Sequence, residues 1–378
     1  MQKRKNMMKT IAILYGGRSG EHEVSLISAS SIIAYLEKSK YRVLPVGITK
    51  KGEWYLQHLP EWAFVPPEKG IMRSLPAIEP GERVVAVPGD GLWVEQAKGL
   101  KKLDIDIVFP VLHGTFGEDG TVQGLLETAD LPYVGADVLG SAVGMDKEAS
   151  KRLWLSAGLP VVDYISVGEE DISDGNLQAL TRRIETRFGW PCFIKPSCSG
   201  SSVGTSKVSQ PEMLKNAVAS ALRWSERALV EAYVEAREIE CAVLGNEHPV
   251  AFPPGEVVPS HEFYDYEAKY KDPNGATLLI PAPLAEETRT RIMSLAVAAY
   301  KYASIKGMAR VDFFVEKLTG AVFLNEINTI PGFTAISMYP QMCIQGGLAY
   351  PDLLDKLIEL GLENYSKKRS LEYDFSKS

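Results

Sequence analysis

The stretch Ala309 to Asn328, ARVDFFVEKLTGAVFLNEIN, reads as two strands around the turn KLTG, and it carries more chemistry than any other segment of the chain. Period-two alternation puts Arg310 and Asp312 on one face of the first strand, and Glu326 and Asn328 on one face of the second. If the hairpin is symmetric about Thr319, Asp312 lies opposite Glu326 and Arg310 opposite Asn328. Directly opposed carboxylates stand about 5 Å apart between Cβ atoms and repel, so the pattern calls for a cation between them. Two carboxylates, an amide oxygen and phosphate oxygens would suit Mg²⁺ better than a transition metal. The alternative is a solvated strand face on which Arg310 pairs with the acids.

Working outward, the small-residue loop SCSGSSVGTS follows the strand Pro191 to Lys195 and offers backbone N–H groups and hydroxyls to a phosphate, with Lys195 beside it; an ordinary flexible turn is the other reading. It is neither G-x-x-x-x-G-K-[ST] nor G-x-G-x-x-G. Upstream, Asp146 is an N-cap for the helical run KEASKRLWLSA, closed by Gly158 and Pro160. The chain opens as alternating α/β structure. Strand Thr10 to Tyr15 leads through a Gly-rich turn into a helix carrying Leu26, Ile33 and Leu36, and Tyr41 to Ile48 and Asp106 to Val111 are further strands. Glu21 sits at a strand's carboxyl end, where open α/β sheets bind ligands, though a surface carboxylate is the blander reading. His113, at the end of the 106–111 strand beside three glycines, is placed for an active site or for a structural role.

Between Pro60 and Leu103 the pattern weakens to one short strand, Val84 to Val87, and reads as a peripheral insertion. The stretch from Gly255 to Pro281, with HEFYDYEAKYKDPNGA at its centre, is too long for an ordinary connection and reads as a lid, with Tyr264, Lys269 and Tyr270 able to close over a ligand. A helix near Thr288 to Ala303 precedes the hairpin, and Tyr350 to Leu360 forms a last amphipathic helix before a frayed tail.

Composition narrows the function. With 378 residues, 45% apolar and 24% charged, the chain is globular and long enough for two or three domains. A net charge of -7 argues against bulk nucleic-acid or anionic-membrane binding. Four cysteines without C-x-x-C spacing indicate neither zinc nor a disulfide framework, and no run approaches the eighteen or so apolar residues of a membrane helix. The expectation is a cytoplasmic protein acting on small molecules.

Seven motifs in order, YGGRSGEHEVS, LHGTFGEDGTVQG, GMDKEASK, FIKPSCSGSSVG, EFYDYEAKY, ARVDFFVE and NEINTIPGFT, make the chain resemble the D-alanine:D-alanine ligases along its whole length. The resemblance implies an α/β ATP-grasp fold of three domains. These would be an N-terminal open α/β domain over 1–140 with the 60–103 insertion, a central domain over 141–231, and a C-terminal domain over 232–365 with a lid near 255–281, followed by a 366–378 tail. It further implies ligation of two D-alanines for peptidoglycan precursors through D-alanyl phosphate, with ATP as co-substrate, two Mg²⁺ or Mn²⁺ ions, and a homodimer. Making D-Ala-D-lactate or D-Ala-D-serine on the same fold is the alternative.

Residue by residue, Lys147, Lys195 and Lys269 match the phosphate contacts, and Glu231, Tyr233, Val234 and Glu238 the adenine and ribose contacts; the family often has Lys where this chain has Ala232. Asp312, Glu326 and Asn328 match the metal ligands. Glu21 matches the acceptor of the first D-alanine's ammonium, in a trio with Ser201 and Tyr270. His113 borders that substrate, Arg310 and the Gly332 backbone face the reacting carboxyl, and Ser337 and Met338 match the grip on the second D-alanine's carboxylate.

Overall fold

The computed structural model describes residues 8–68, 71–259 and 276–374. The chain begins with β1 (Lys9–Gly16), helix α1 (His22–Tyr35), β2 (Tyr41–Ile48) and the short β3 (Trp54–Leu56). β4 (Val84–Val87), β5 (Gly91–Gln96) and β6 (Gly99–Lys102) form a separate antiparallel sheet before β7 (Ile107–Val111). The main sheet runs β3-β2-β1-β7, with β1 parallel to both β2 and β7. Burial on both faces explains the unbroken apolar run of β1. Ile11, Ile13 and Tyr15 join a core with α1 and the last helix, while Ala12 and Leu14 join a second with α2 (Thr121–Thr128) and the small sheet.

The 60–103 segment corrects the expectation of a single strand. Two further strands lie there: β5 starts at Gly91 and runs Leu92-Trp93-Val94 without alternation, and β6 starts at Gly99 and is exposed along its length. Nor is the segment merely peripheral: Val84, Leu92 and Val94 are buried, and Leu75 packs in the α1 core.

α3 (Val138–Met145) leads directly into α4 (Lys147–Ser156), separated by Asp146. The Asp146 side chain accepts from the N–H groups of Glu148 at 2.9 Å and Ala149 at 3.2 Å, as its sequence position implied. An antiparallel sheet follows in the order β10-β9-β11-β8, from β8 (Tyr164–Val167), β9 (Cys192–Pro196), β10 (Ser206–Val208) and β11 (Ala228–Ala232). Helices Leu177–Arg187 and Leu214–Leu222 cover one face of it and leave the other to the cleft.

The third sheet combines β12 (Ala236–Leu244), β13 (Val250–Ala251), β14 (Gly255–Pro259), β15 (Ala276–Leu279), β16 (Met308–Glu316) and β17 (Val322–Asn328). Ile239, Cys241 and Val243 of β12 and Val311, Phe313 and Val315 of β16 pack on helix Glu286–Tyr302, so Glu240, Arg310 and Asp312 face the cleft. β17 changes parity. Val322 and Leu324 are core, but so is Ile327, because a bulge after Asp312 pairs Phe313 with Leu324 and leaves Asn325 as the extra residue. The pairs Arg310 with Asn328 and Asp312 with Glu326 are those the sequence implied, although the turn is centred one half-step earlier than a hairpin symmetric about Thr319. Without the bulge Glu326 would point into the core.

The final helix, Tyr350–Arg369, outlasts its expected end. Beyond Leu360, Tyr365 donates to Asp130 at 3.0 Å, Arg369 pairs with the same carboxylate at 2.5 Å, and Lys368 pairs with Glu127. These contacts hold a turn that its polar sequence alone does not mark. The residues between β14 and β15, including Tyr264, Lys269 and Tyr270, lie outside the described residues. Among those described, no helix is long and apolar enough to cross a membrane.

Trp154 ties α4 to the third sheet's helix layer: its ring is fully buried and its indole N–H donates to the Ala299 carbonyl at 3.1 Å. Trp154→Ala should cost about 3 to 5 kcal/mol of stability. Urea unfolding with a loss under about 1 kcal/mol would show that this joint is not a packed core.

Candidate active site

A cleft of about 630 Å³ lies between the second and third sheets. Phe193 and Lys195 of β9 and Glu231 of β11 line one side. Glu238 and Glu240 of β12, Arg310, Asp312 and Phe314 of β16 and Glu326 of β17 line the other, with Lys147 at one end. Tyr233 and Val234 border it in the short turn between β11 and β12, where Tyr233 stacks on Phe193 with ring centroids 6.1 Å apart.

On the basic side, Lys195 pairs with Glu231 at 2.6 Å and donates to the Asn325 side chain at 3.1 Å, so the bulge residue of β17 reaches across to β9. Glu231 also pairs at 3.0 Å with Lys151, whose side chain is completely buried. Burial favours a neutral Glu231 carboxyl, but the two ammonium groups outweigh it and hold the group down to about 2. Glu231 is therefore a buried counter-ion for two lysines, a role its sequence match to an adenine or ribose contact did not anticipate. Lys147 donates to the Ser199 carbonyl at 2.6 Å in the small-residue loop and pairs with Glu326 at 3.2 Å, linking that loop to the third sheet.

On the acidic side, Glu240, Asp312 and Glu326 form one cross-strand row over β12, β16 and β17. Arg310 grips Asp312 with two bonds, 2.7 Å from Nε and 2.6 Å from a terminal nitrogen, and lies 3.0 Å from Glu240. Burial works against its charge, yet these acids overcome that cost and raise its pKa well above the ordinary value. Asn328 donates to Asp312 at 3.0 Å. The opposed acids are thus answered by two protein cations in this structure, Asp312 by Arg310 and Glu326 by Lys147, which in part is the arrangement that the strand-face alternative described. Among the described residues no three of His, Cys, Asp and Glu gather as a metal cage. Two opposed carboxylates and an amide nevertheless form a partial oxygen set that phosphate oxygens could complete.

At the far end, Ser201 donates to Glu21 at 2.5 Å, joining the small-residue loop to the turn after β1. Glycines surround that carboxylate: a Cβ on Gly114 would come within 2.6 Å of Glu21 Oε2, and one on Gly200 within 2.9 Å. Gly114 also has φ +75°, which favours glycine on conformational grounds. His113 is buried, with Nδ1 2.9 Å from the Ile330 carbonyl and Nε2 2.9 Å from Ser28. The carbonyl can only accept, so Nδ1 carries the proton and Nε2 accepts from the Ser28 hydroxyl. Burial, more than the opposing charge of Glu21 and the bond to Ile330, keeps this imidazole neutral by lowering its pKa.

Glu118 accepts from the N–H groups of Gly114 at 2.7 Å and Ile330 at 2.9 Å. Burial and the neighbouring Glu21 push its carboxyl up to about 8 despite those two bonds. The loop Ile330 to Thr334 is therefore held from the N-terminal side, and Phe333 N–H adds a bond to Ser28 at 3.4 Å. Gly332 lies in that loop, and the Ser337 hydroxyl is bonded to Thr334 at 2.7 Å just before helix Met338–Gln345. The Met338 side chain is buried against Gly255, which leaves its backbone as the group able to meet a ligand.

Phe193 and Asn325 were not singled out from sequence, and neither were three charged residues. Lys151 shares a helix face with Lys147 at i, i+4, Glu240 alternates with Glu238, and Glu118 stands inside HGTFGEDG. Each had a positional signal that gained meaning only from its partner.

Family models described as D-ala D-ala ligase N-terminus and D-ala D-ala ligase C-terminus match residues 10–136 and 153–359. A Treponema denticola protein named D-alanine--D-alanine ligase is 49% identical over 365 residues, covering 96% of this chain and 98% of its own length. A Thermoanaerobacter protein of the same name is 49% identical, covering 95% and 98%. Among solved structures, the D-alanine-D-alanine ligase from Coxiella burnetii superposes with a TM-score of 0.80 at 37% identity, covering 96% of each chain. The VanG D-Ala:D-Ser ligase from Enterococcus faecalis gives 0.79 at 35%, covering 94% of this chain and 100% of its own. Together with the two-sheet cleft, these matches establish that the chain is an α/β protein of the ATP-grasp fold and belongs to the D-alanine–D-alanine ligase family.

Proposed function

We propose that the cleft joins two D-alanines to D-alanyl-D-alanine, with ATP consumed to ADP and phosphate. The observation that carries this reading is Lys147, which contacts the small-residue loop with one bond and Glu326 with an ion pair. Groups suited to phosphates and groups suited to a metal thereby meet at one point. Phe193, Tyr233, Val234 and Glu238 would receive the nucleoside, Lys147 and Lys195 the phosphates, and Lys269 would join them from the lid. A Mg²⁺ or Mn²⁺ ion, or a pair of them, held by Asp312, Glu326 and the Asn328 amide oxygen, would draw charge from the transferring phosphoryl group.

Glu21, with Ser201 and Tyr270, would hold the first D-alanine's ammonium beside the neutral His113. The carboxylate of that D-alanine attacks the γ-phosphorus, giving an acyl phosphate and ADP. The second D-alanine, its carboxylate at Ser337 and the Met338 backbone, loses a proton and attacks the acyl carbon; Arg310 and the Gly332 N–H would stabilise the oxyanion before phosphate leaves. The family resemblance extends the reading to three domains, peptidoglycan-precursor synthesis, the cytoplasm and a homodimer. The likeness to a D-Ala:D-Ser ligase makes D-serine the second substrate to test. Higher identity to proteins named for D-alanine favours D-alanine.

Two outcomes are expected. With ATP and Mg²⁺, purified protein should release ADP and phosphate when given D-alanine and yield the dipeptide, with far less turnover on L-alanine, D-lactate or D-serine; AMP as the nucleotide product, or equal use of L-alanine, contradicts the reading. Glu326→Gln should cut kcat roughly a hundredfold while its melting temperature stays near wild type, because shape is kept and one charge is lost. On a merely structural strand face the same change would relieve carboxylate repulsion, so near-normal turnover with a raised melting temperature counts against the metal-ligand role.

A further inference from the structure

Lys151 lies outside the cleft wall, behind Glu231, and has no side-chain exposure. It projects from α4 one helical turn beyond Lys147, so two ammonium groups share a helix face beside a third, Lys195. Like charges in that relation oppose each other unless anions intervene. Glu231 intervenes with both oxygens: Oε1 lies 3.0 Å from Lys151 and Oε2 lies 2.6 Å from Lys195. Burial works against the charge of Lys151 and Glu231 supports it; with Lys151 protonated, two cations around one buried anion leave a surplus positive charge, and only Lys195 of the two lines the cleft. A carboxylate paired with Lys195 alone would cancel the charge that an incoming phosphate has to find.

We infer that Lys151 is a positioning residue for phosphate recognition: by engaging one oxygen of Glu231, it leaves Lys195 only partly neutralised and fixes its ammonium between Glu231 and Asn325. This rests on the ATP reading of the cleft. Lys195 is then aimed by a rigid pair of acceptors, one from its own sheet and one from the bulge of β17. The surplus charge sits in a poorly hydrated place, where its field on the cleft is screened less than a surface lysine's would be. A purely structural Lys151 would also need Glu231, but it would have no specific bearing on phosphate.

The test compares ATP with adenosine, which lacks the phosphates, by calorimetry on the full chain. Lys151→Met should weaken ATP binding roughly ten- to hundredfold while leaving adenosine nearly unchanged, and Lys151→Arg should restore part of the loss. Lys151→Met combined with Glu231→Gln removes both the buried cation and the anion that over-neutralises Lys195. That pair should bind ATP more tightly than Lys151→Met alone, judged by the ratio of ATP to adenosine affinity. If Lys151→Met does not fold, the double variant carries the test and should keep a wild-type preference for ATP over adenosine. Equal weakening of both ligands in Lys151→Met, or a double variant without phosphate preference, overturns the inference while the wild-type ratio still supports the ATP site. Wild type binding ATP no better than adenosine removes that site, and the inference with it.

Discussion

Charge buried in the walls of the cleft has to be answered by a neighbouring group of opposite sign, and that constraint organises the site. Glu231 is nearly inaccessible and would favour its neutral form but for Lys151 and Lys195. Lys147 reaches Glu326, Lys195 reaches Asn325, and Arg310 holds Asp312 against the neighbouring Glu240. Removing one partner from such a set leaves an uncompensated charge, so the groups stay aligned without any ligand. On the proposed reading, a phosphate and a divalent cation would exchange places with the ions that the protein already supplies.

The bulge at Asn325 is the local device on which this alignment depends. One extra residue in β17 keeps Leu324 and Ile327 in the core while turning Glu326 and Asn328 to the cleft. It also sends Asn325 toward Lys195. At the other end, the N-terminal side holds the Ile330 backbone through both His113 and Glu118, so the loop carrying Gly332 is set by residues more than two hundred positions earlier in the chain. The loop carrying Gly332 and the lysines of the cleft thus belong to elements that are cross-tied rather than to independently placed loops.

Much of this was legible in the sequence where one short segment decides the matter. The Asp146 cap, strands β1, β2 and β7 of the first sheet and the shared face of Arg310 and Asp312 follow from local chemistry and period-two alternation. Other parts depend on partners that no local pattern reveals. Glu118 stands in a Gly-rich turn whose meaning appears only when Ile330 lies beside it, and Lys151 looks like a solvated helix residue until β11 brings Glu231 beneath it. The glycine-started strands β5, apolar on successive residues Leu92 to Val94, and β6, exposed throughout, lack the alternation that marks strands, and the last turns of helix Tyr350–Arg369 are held by Asp130 and Glu127 from the N-terminal half. The Asn325 bulge escaped for another reason: the site pairing is the same with a symmetric turn as with a shifted turn plus one inserted residue.

The central claim is that the cleft activates a carboxylate by transferring a phosphoryl group to it. In that sequence the carboxylate oxygen bonds to phosphorus, and when the amine displaces phosphate the carbon–oxygen bond breaks, so the oxygen departs with phosphate. D-alanine labelled with oxygen-18 in its carboxylate, turned over with ATP and analysed by mass spectrometry of the products, tests this directly. The account predicts labelled oxygen in the released phosphate in step with dipeptide formed. Dipeptide accompanied by unlabelled phosphate, or by label in AMP, would contradict it.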